Sequence, residues 1–471
     1  AGSHLGAGIT IIRINNAKFN LIKHSPGKNN TLNDNVVWSI YQDKENILWV
    51  GTYKGGLNRI DLARNTYSFF MNQSGRSSLS SNHIRVIKED AYGNLWIGTY
   101  DGGLNIFNKK TFKTIVYKND PNDPASISSN QIQDIFIESD SVYWIASFGG
   151  GLIKAVIRGN PISSKLSFTF FRNDKDENTS ISDNRVYKIF RSKDGAYWIG
   201  TYGGGLNQFN PADGKFKRYP INSGQQDNFN IENLMTIEEA SDGIIWLGSY
   251  GGSLTSFDRK QNKFKRYSFR EGITSGVVYG ILEDNNKTLW ISSDDGIFKL
   301  DLNNKAVSAY NIQDGLQSLE FSGGAYFKDS DGRLYFGGIN GLNYFNPVNI
   351  KSNKYKPSIV ITSFKVFNET VKGFIKEITL DHTKNFISFE FSSLDFTDPT
   401  DNQYSYILEG LQSEWQTTDA SKRAAYYTNL SPGTYTFKVK GSNSDGVWSD
   451  NYASIKIIIL HPFWQTWWFL T

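Results

Sequence analysis

The sequence runs to 471 residues with a formal net charge of +4, and it holds 12 Trp, 25 Tyr, 32 Phe and 43 Gly against two Met and no Cys. That length favours two domains over one core. Abundant aromatics and glycines favour short strands and tight turns over helices. The missing cysteines exclude disulfides and thiolate metal sites, and Lys and Arg never form a run of five, so no nucleic-acid surface is supported.

In chain order, Ala1-Gly2-Ser3-His4-Leu5 reads as a cloning remnant. No signal peptide is visible, and a cleaved one would leave no trace. Two strands are predicted next, over 9–14 and 19–23, resembling in pattern the last two strands of the repeat unit that follows. That unit is marked by Leu95-Trp96-Ile97-Gly98-Thr99-Tyr100-Asp101-Gly102-Gly103-Leu104. Its copies begin at Trp49, Trp96, Trp144, Trp198 and Trp246, with degenerate copies at Trp290 and Tyr335, at steps of 44 to 54 residues. A period in the forties with alternating strands is the signature of a β-propeller blade. The copies give seven blades, or eight if the N-terminal strands belong to a truncated blade. The far end, around 324–337, supplies first strands that the N-terminus lacks, so the two termini are expected to share one blade and leave no open edge. The repeated Trp is expected between adjacent blades.

The period stops near Pro347. Strands are predicted at 359–367, 385–392, 403–409, 423–428, 433–443 and 452–460, separated by turns such as Ser431-Pro432-Gly433, which points to an immunoglobulin- or fibronectin-like β-sandwich. The domain plan is therefore all-β: a propeller over 1–350, a sandwich over 357–460 and an aromatic segment over 461–471. Trp464, Trp467 and Trp468 in that segment read as an interfacial belt ahead of a transmembrane helix that would follow the last residue.

The blade motif and its preceding Ser-Leu-Ser-Ser-Asn turn resemble the regulator-type propeller repeats of bacterial sensors. Tyr404-Ser405-Tyr406, Glu414-Trp415, Tyr426-Tyr427-Thr428-Asn429-Leu430 and Asn443-Ser444-Asp445-Gly446 resemble the triple-tyrosine domain that follows such repeats. Together they are similar to the periplasmic sensor region of a hybrid two-component histidine kinase. The resemblance implies oligosaccharide sensing outside the inner membrane, a homodimer through the sandwich, membrane attachment by a C-terminal helix and signalling to a kinase. Members tend to carry two propellers, and a single one is present here.

Chemistry is sparse. His4, His24, His83, His382 and His461 share no ligand spacing, so no metal or other cofactor is expected. Asp194-Gly195 and Asp242-Gly243 read as hairpin turns rather than sialidase-type boxes, and Gly203-Gly204-Gly205 lacks the Lys-Ser/Thr of a phosphate loop. The aromatic before each glycine pair stands out: Tyr53, Tyr100, Phe148, Tyr202 and Tyr250. In a propeller these turns share a face with the loops entering the inner strands, which carry Asn35, Asn82, His83, Asn130, Gln131, Asn184, Arg185 and Asn233. Ring faces beside amides and a guanidinium suit sugars. The ligand candidates are Tyr53, His83, Tyr100, Phe148, Arg185, Tyr202 and Tyr250, with no catalytic residue. Two other classes compete: a propeller lyase or hydrolase, which requires an acidic pair in the central funnel, and a protein-interaction scaffold.

Overall fold

The computed structural model describes residues 18–73, 78–220, 230–268, 272–351, 353–373, 376–465 and 469. It divides into two compact units, one over Asn16–Ile350 and one from Lys351 onward. The expected strand at 9–14 and the tail residues Trp467 and Trp468 lie outside the described residues.

The first unit is a seven-bladed propeller in which each blade is a four-stranded antiparallel sheet. Blade 2 shows the plan: inner strand Ile84–Glu89, then Asn94–Thr99, Leu104–Asn108 and outer Thr114–Tyr117. Every residue of the second strand is buried. Each repeated aromatic packs into the apolar cluster of the following blade, as Trp96 does against Tyr143 with rings stacked at 3.8 Å. The blades approach closely because the second strand carries glycine there. A Cβ on Gly98 would stand 2.5 Å from Ile132 of the next blade.

Blade 7 joins the termini, but with a different division from the expected one. Phe321–Lys328, Leu334–Gly338 and Gly341–Phe345 supply three strands, and Asn20–Ile22 alone adds the outer one. The far end thus contributes the third strand as well as the first two. Gly341-Leu342-Asn343-Tyr344-Phe345 repeats the third-strand pattern and needs only an edge partner.

The second unit is a β-sandwich. One sheet orders Glu369–Thr370, Ile359–Val366, Ile387–Ser393 and Ala424–Tyr427. The other orders Glu377–Leu380, Ala453–Ile459, Gly433–Gly441, Gln403–Glu409 and Gln416–Asp419. Its core is aromatic: Phe389 of one sheet stacks on Phe437 of the other at 3.9 Å. The six expected strands are present, and the three short additions, 369–370, 377–380 and 416–419, are mostly exposed edges with little apolar pattern.

Candidate functional site

Backbone bonding fixes which loops share a face. The turn after each second strand folds back onto the entrance of its own inner strand: Tyr53 N–H donates to Val36 O, Tyr100 to His83, Phe148 to Gln131, Tyr202 to Arg185 and Tyr250 to Asn233, at 2.8 to 3.0 Å. The same turn also reaches the next blade, where Gly103 N–H donates to Asn130 O at 2.9 Å and Gly151 to Asn184 at 2.9 Å. The aromatic turns and the inner-strand entrances therefore form one continuous rim.

The seven candidates fall into two groups on this rim. Tyr53 stacks on His83 at 4.9 Å, and Trp38 lies 4.6 Å from Tyr53 and 5.7 Å from Tyr100. Phe148 stands 6.1 Å from Tyr202, which stands 6.5 Å from Tyr250. Arg185 lies over the Tyr202 ring at 5.7 Å. Its guanidinium is already engaged, with Nε and Nη2 donating to the two Asp183 oxygens at 2.9 and 2.7 Å. Burial would push the Asp183 carboxyl up, yet the Arg185 bonds hold it below its ordinary value. His83 Nδ1 is 3.0 Å from an Asp101 oxygen. Four of the asparagines are structural: the Oδ1 atoms of Asn35, Asn82, Asn130 and Asn184 accept from the backbone of His24, Asn72, Asn119 and Asn173 at 2.7 to 2.8 Å.

Between the two groups lies a cavity of about 240 Å³ lined by Trp38, Arg85, Tyr100, Gln131, Gln133, Phe148 and Tyr187. It joins Tyr100 to Phe148 and is built mainly from residues that sequence reasoning passed over. Trp38, Arg85, Gln133 and Tyr187 each follow the first residue of an inner strand, where the pairing register slips by one. A bulge re-aims the extra side chain, and here the bulged residues converge. Arg85 Nε donates to Gln133 Oε1 at 2.7 Å, Nη2 donates to the Tyr187 hydroxyl, and the guanidinium lies 5.3 Å from both the Trp38 and Tyr187 rings. A signal was available: this position reads Trp, Arg, Gln, Tyr, Met, Tyr through the first six blades, while the residue before it stays apolar as Val, Ile, Ile, Val, Leu and Val.

Deeper in, Ser39, Lys88, Asp134, Lys188 and Tyr326 line a tighter space that shares Arg85, Gln133 and Tyr187 with the mouth. Tyr326 of blade 7 reaches Thr236 of blade 5, with its hydroxyl 2.8 Å from the threonine Oγ1. Blade 6 makes room for that ring with Gly280, whose Cβ would stand 2.4 Å from it. Lys188 bonds Asp134 at 3.1 Å and lies 5.4 Å from the Tyr326 ring. Among the described residues, no group of three His, Asp or Glu is arranged to hold a metal, and no helix is long and apolar enough to cross a membrane.

The repeats and the second unit are those of known families. Residues 31–54, 78–101, 180–203 and 272–295 match the two component regulator propeller, and 395–460 match the Y_Y_Y domain. Each propeller match spans an inner-strand entrance through to the turn after the second strand, the part of the blade that builds the rim; that turn carries Tyr53, Tyr100 and Tyr202 in three of the matches and Asp294 in the fourth. Histidine kinase P4 of Formosa agariphila is 29% identical over 460 residues, covering 93% of this chain and 32% of the relative. The extracellular domain of a hybrid two component system from B. thetaiotaomicron is 25% identical with a TM-score of 0.75, over 94% of this chain and 58% of that one. A second such domain from the same organism shares the fold at 23% identity and a TM-score of 0.57, over 96% of this chain and 60% of its own. The chain thus spans about a third of its curated relative.

Proposed function

We propose that this chain, which belongs with the extracellular sensor domains of hybrid two-component systems, binds an oligosaccharide over the propeller rim and signals that occupancy to a kinase elsewhere in its polypeptide. The observation that carries the reading is the mouth cavity, where four aromatic side chains and two amides surround one concave space. Aromatic faces stack on the apolar faces of sugar rings, and amides address hydroxyls in both directions. At about 240 Å³ the cavity is smaller than the ~300–1,000 Å³ usual for an entire ligand. It suits one ring of a longer chain, with neighbouring rings lying over Tyr53 and His83 or over Tyr202 and Tyr250.

Periplasmic location, attachment by a single membrane helix and dimerisation through the sandwich belong to the same proposal. The location is supported by the extracellular relatives, and membrane attachment by the exposed aromatics Phe463 and Trp464. The lyase or hydrolase alternative requires paired carboxylates, and no carboxylate lines the mouth. Isothermal titration against defined oligosaccharides tests the reading. Binding should weaken at least tenfold in Tyr100→Ala and Trp38→Ala while melting barely moves. Unchanged binding by both folded variants would remove the ligand from this face.

A further inference from the structure

The residues lining the deeper space do not balance in charge: Arg85, Lys88 and Lys188 stand against one carboxylate. Among the described residues, no carboxylate lies within ion-pair distance of Arg85; its partners are an amide, a hydroxyl and two ring faces. Lys88, half-buried in the space below, has no hydrogen-bond or ion-pair partner either, and burial pushes its ammonium below the ordinary value. Lys188 is the third cation, and it shares the single carboxylate lining that space, Asp134. On the opposite side of the rim the acids are engaged, with Glu320 accepting from the Tyr279 hydroxyl and Asp294 from Ser275, both at 2.6 Å. A protein that only had to fold would gain by pairing or removing such cations. Fixed cations at a concave mouth, by contrast, draw in and hold an anion.

The geometry points to an anionic ligand: a carboxylate or sulfate ester on the bound sugar, received by Arg85 between Trp38 and Tyr187, with Lys88 and Lys188 supplying the field beneath it. This rests on the oligosaccharide reading above and specifies its substrate class. The guanidinium fork is held by Gln133 and the Tyr187 hydroxyl, so its remaining N–H groups are oriented before the ligand arrives. Bidentate acceptance by a planar carboxylate or two sulfate oxygens follows from that orientation. Arg185 has the same fork but spends it on Asp183. Copy-to-copy variation at the bulged position, with arginine in blade 2 alone among the first six blades, gives the ring one such point.

The test uses matched pairs on the whole chain: an oligogalacturonate against its methyl ester, and a κ-carrageenan oligosaccharide against its desulfated form. Sodium sulfate alone is followed by tryptophan fluorescence. One charged member should bind at least tenfold more tightly than its neutral twin, and that preference should shrink with added salt. Arg85→Gln should remove the preference with melting little changed, and Arg85→Lys, which keeps charge without the fork, should retain part of it. Lys88→Met should move two readouts in opposite directions, raising the melting temperature while weakening the charged ligand. Equal binding of charged and neutral twins overturns the anionic assignment and leaves oligosaccharide binding intact. Arg85-dependent binding of sulfate with no sugar bound upholds the anion site and overturns the oligosaccharide reading. Silence toward every probe overturns both.

Discussion

In five of the six blades that carry the repeated tryptophan, its indole is anchored from six residues upstream. Trp49 Nε1 donates to Asp43, Trp96 to Asp90, Trp144 to Glu138, Trp198 to Ser192 and Trp290 to Asp284, at 2.6 to 3.2 Å, and Tyr335 uses its hydroxyl on Asp329 in the same way. Blade 5 has Ala240 at that position, and the buried Trp246 N–H has no acceptor. Trp96→Phe should therefore cost about 1–3 kcal/mol more than Trp246→Phe. The first leaves Asp90 short of a donor, and the second removes an orphan. Urea unfolding of the two variants checks this, and equal losses would contradict it. Glu238 carries a different residue-scale cost. Burial pushes its carboxyl up from 4.5 to about 7, with Lys188 opposing and Glu283 adding to the rise. A raised acid keeps its proton in the folded state after the unfolded chain has lost it, so stability is unaffected below about 4.5, is lost as pH rises to about 7, and stays lost above. Glu238→Gln should match the parent at pH 4 and exceed it by about 1–3 kcal/mol at pH 8. Thermal unfolding across that range measures the gap, and a constant gap would remove Glu238 as its cause.

At the scale of the strand and turn, the glycine opening each third strand is forced twice over. Gly103 has φ 80°, and a Cβ there would stand 2.3 Å from Tyr117 O. Its N–H is also the link to the next blade. Gly103→Ala should thus strain the backbone, push on the outer strand and loosen a blade junction together, costing about 2 kcal/mol or more. A denaturation midpoint within error of the parent would contradict this. Blade 5 departs here too: Ser253 sits at φ 61°, and its link to Gly276 O stretches to 3.4 Å. These repeats were plain in the sequence because packing imposes the same residue on every copy. Tryptophan, the paired glycines and the Ser-Asn turn all recur for that reason, and they gave the blade period and the turn aromatics, while leaving seven or eight blades open. The centre of the site was less legible. Trp38, Arg85, Gln133 and Tyr187 are displayed by a bulge, and a one-residue slip in register leaves no residue type of its own in a strand. Their convergence also joins blades about 50 to 150 residues apart in sequence, which periodicity within a blade cannot express. Arg185 was the reverse case, conspicuous in the sequence because it varies, yet already satisfied by a carboxylate two residues away.

A propeller as a whole stands or falls with its last junction. Consecutive blades are joined by short connections, but blade 7 meets blade 1 across nearly the full propeller sequence. The Asn20 side chain bonds Tyr344 O over a separation of 324 residues. Closing a flexible loop of that length costs on the order of 5 kcal/mol in chain entropy, and noncovalent contacts must return it. They include the apolar junction in which Ala325, Tyr335 and Leu342 of blade 7 pack with Val37, Ile40 and Leu48 of blade 1, and the contacts of the N-terminal strand. Asn20, Leu21 and Ile22 pair with Tyr344, Asn343 and Leu342, and Gly341 N–H donates to Asn35 O at 2.7 Å. Phe19, 1% exposed, sets its ring edge-on to Tyr310 at 5.2 Å and to Phe345 at 4.7 Å. The three-residue strand holds the edge in register, and Phe19 and Ile22 bury their side chains beside it. Phe19→Ala should cost about 3–5 kcal/mol by loss of a fully buried aromatic, comparable to the closure entropy itself. The variant should then open at blade 7 before the rest of the ring unfolds, so limited proteolysis should cut first within 320–350 while blades 2 to 5 stay protected. An unfolding midpoint that does not move, or first cuts elsewhere in the ring, would show that closure is held by something other than this N-terminal strand.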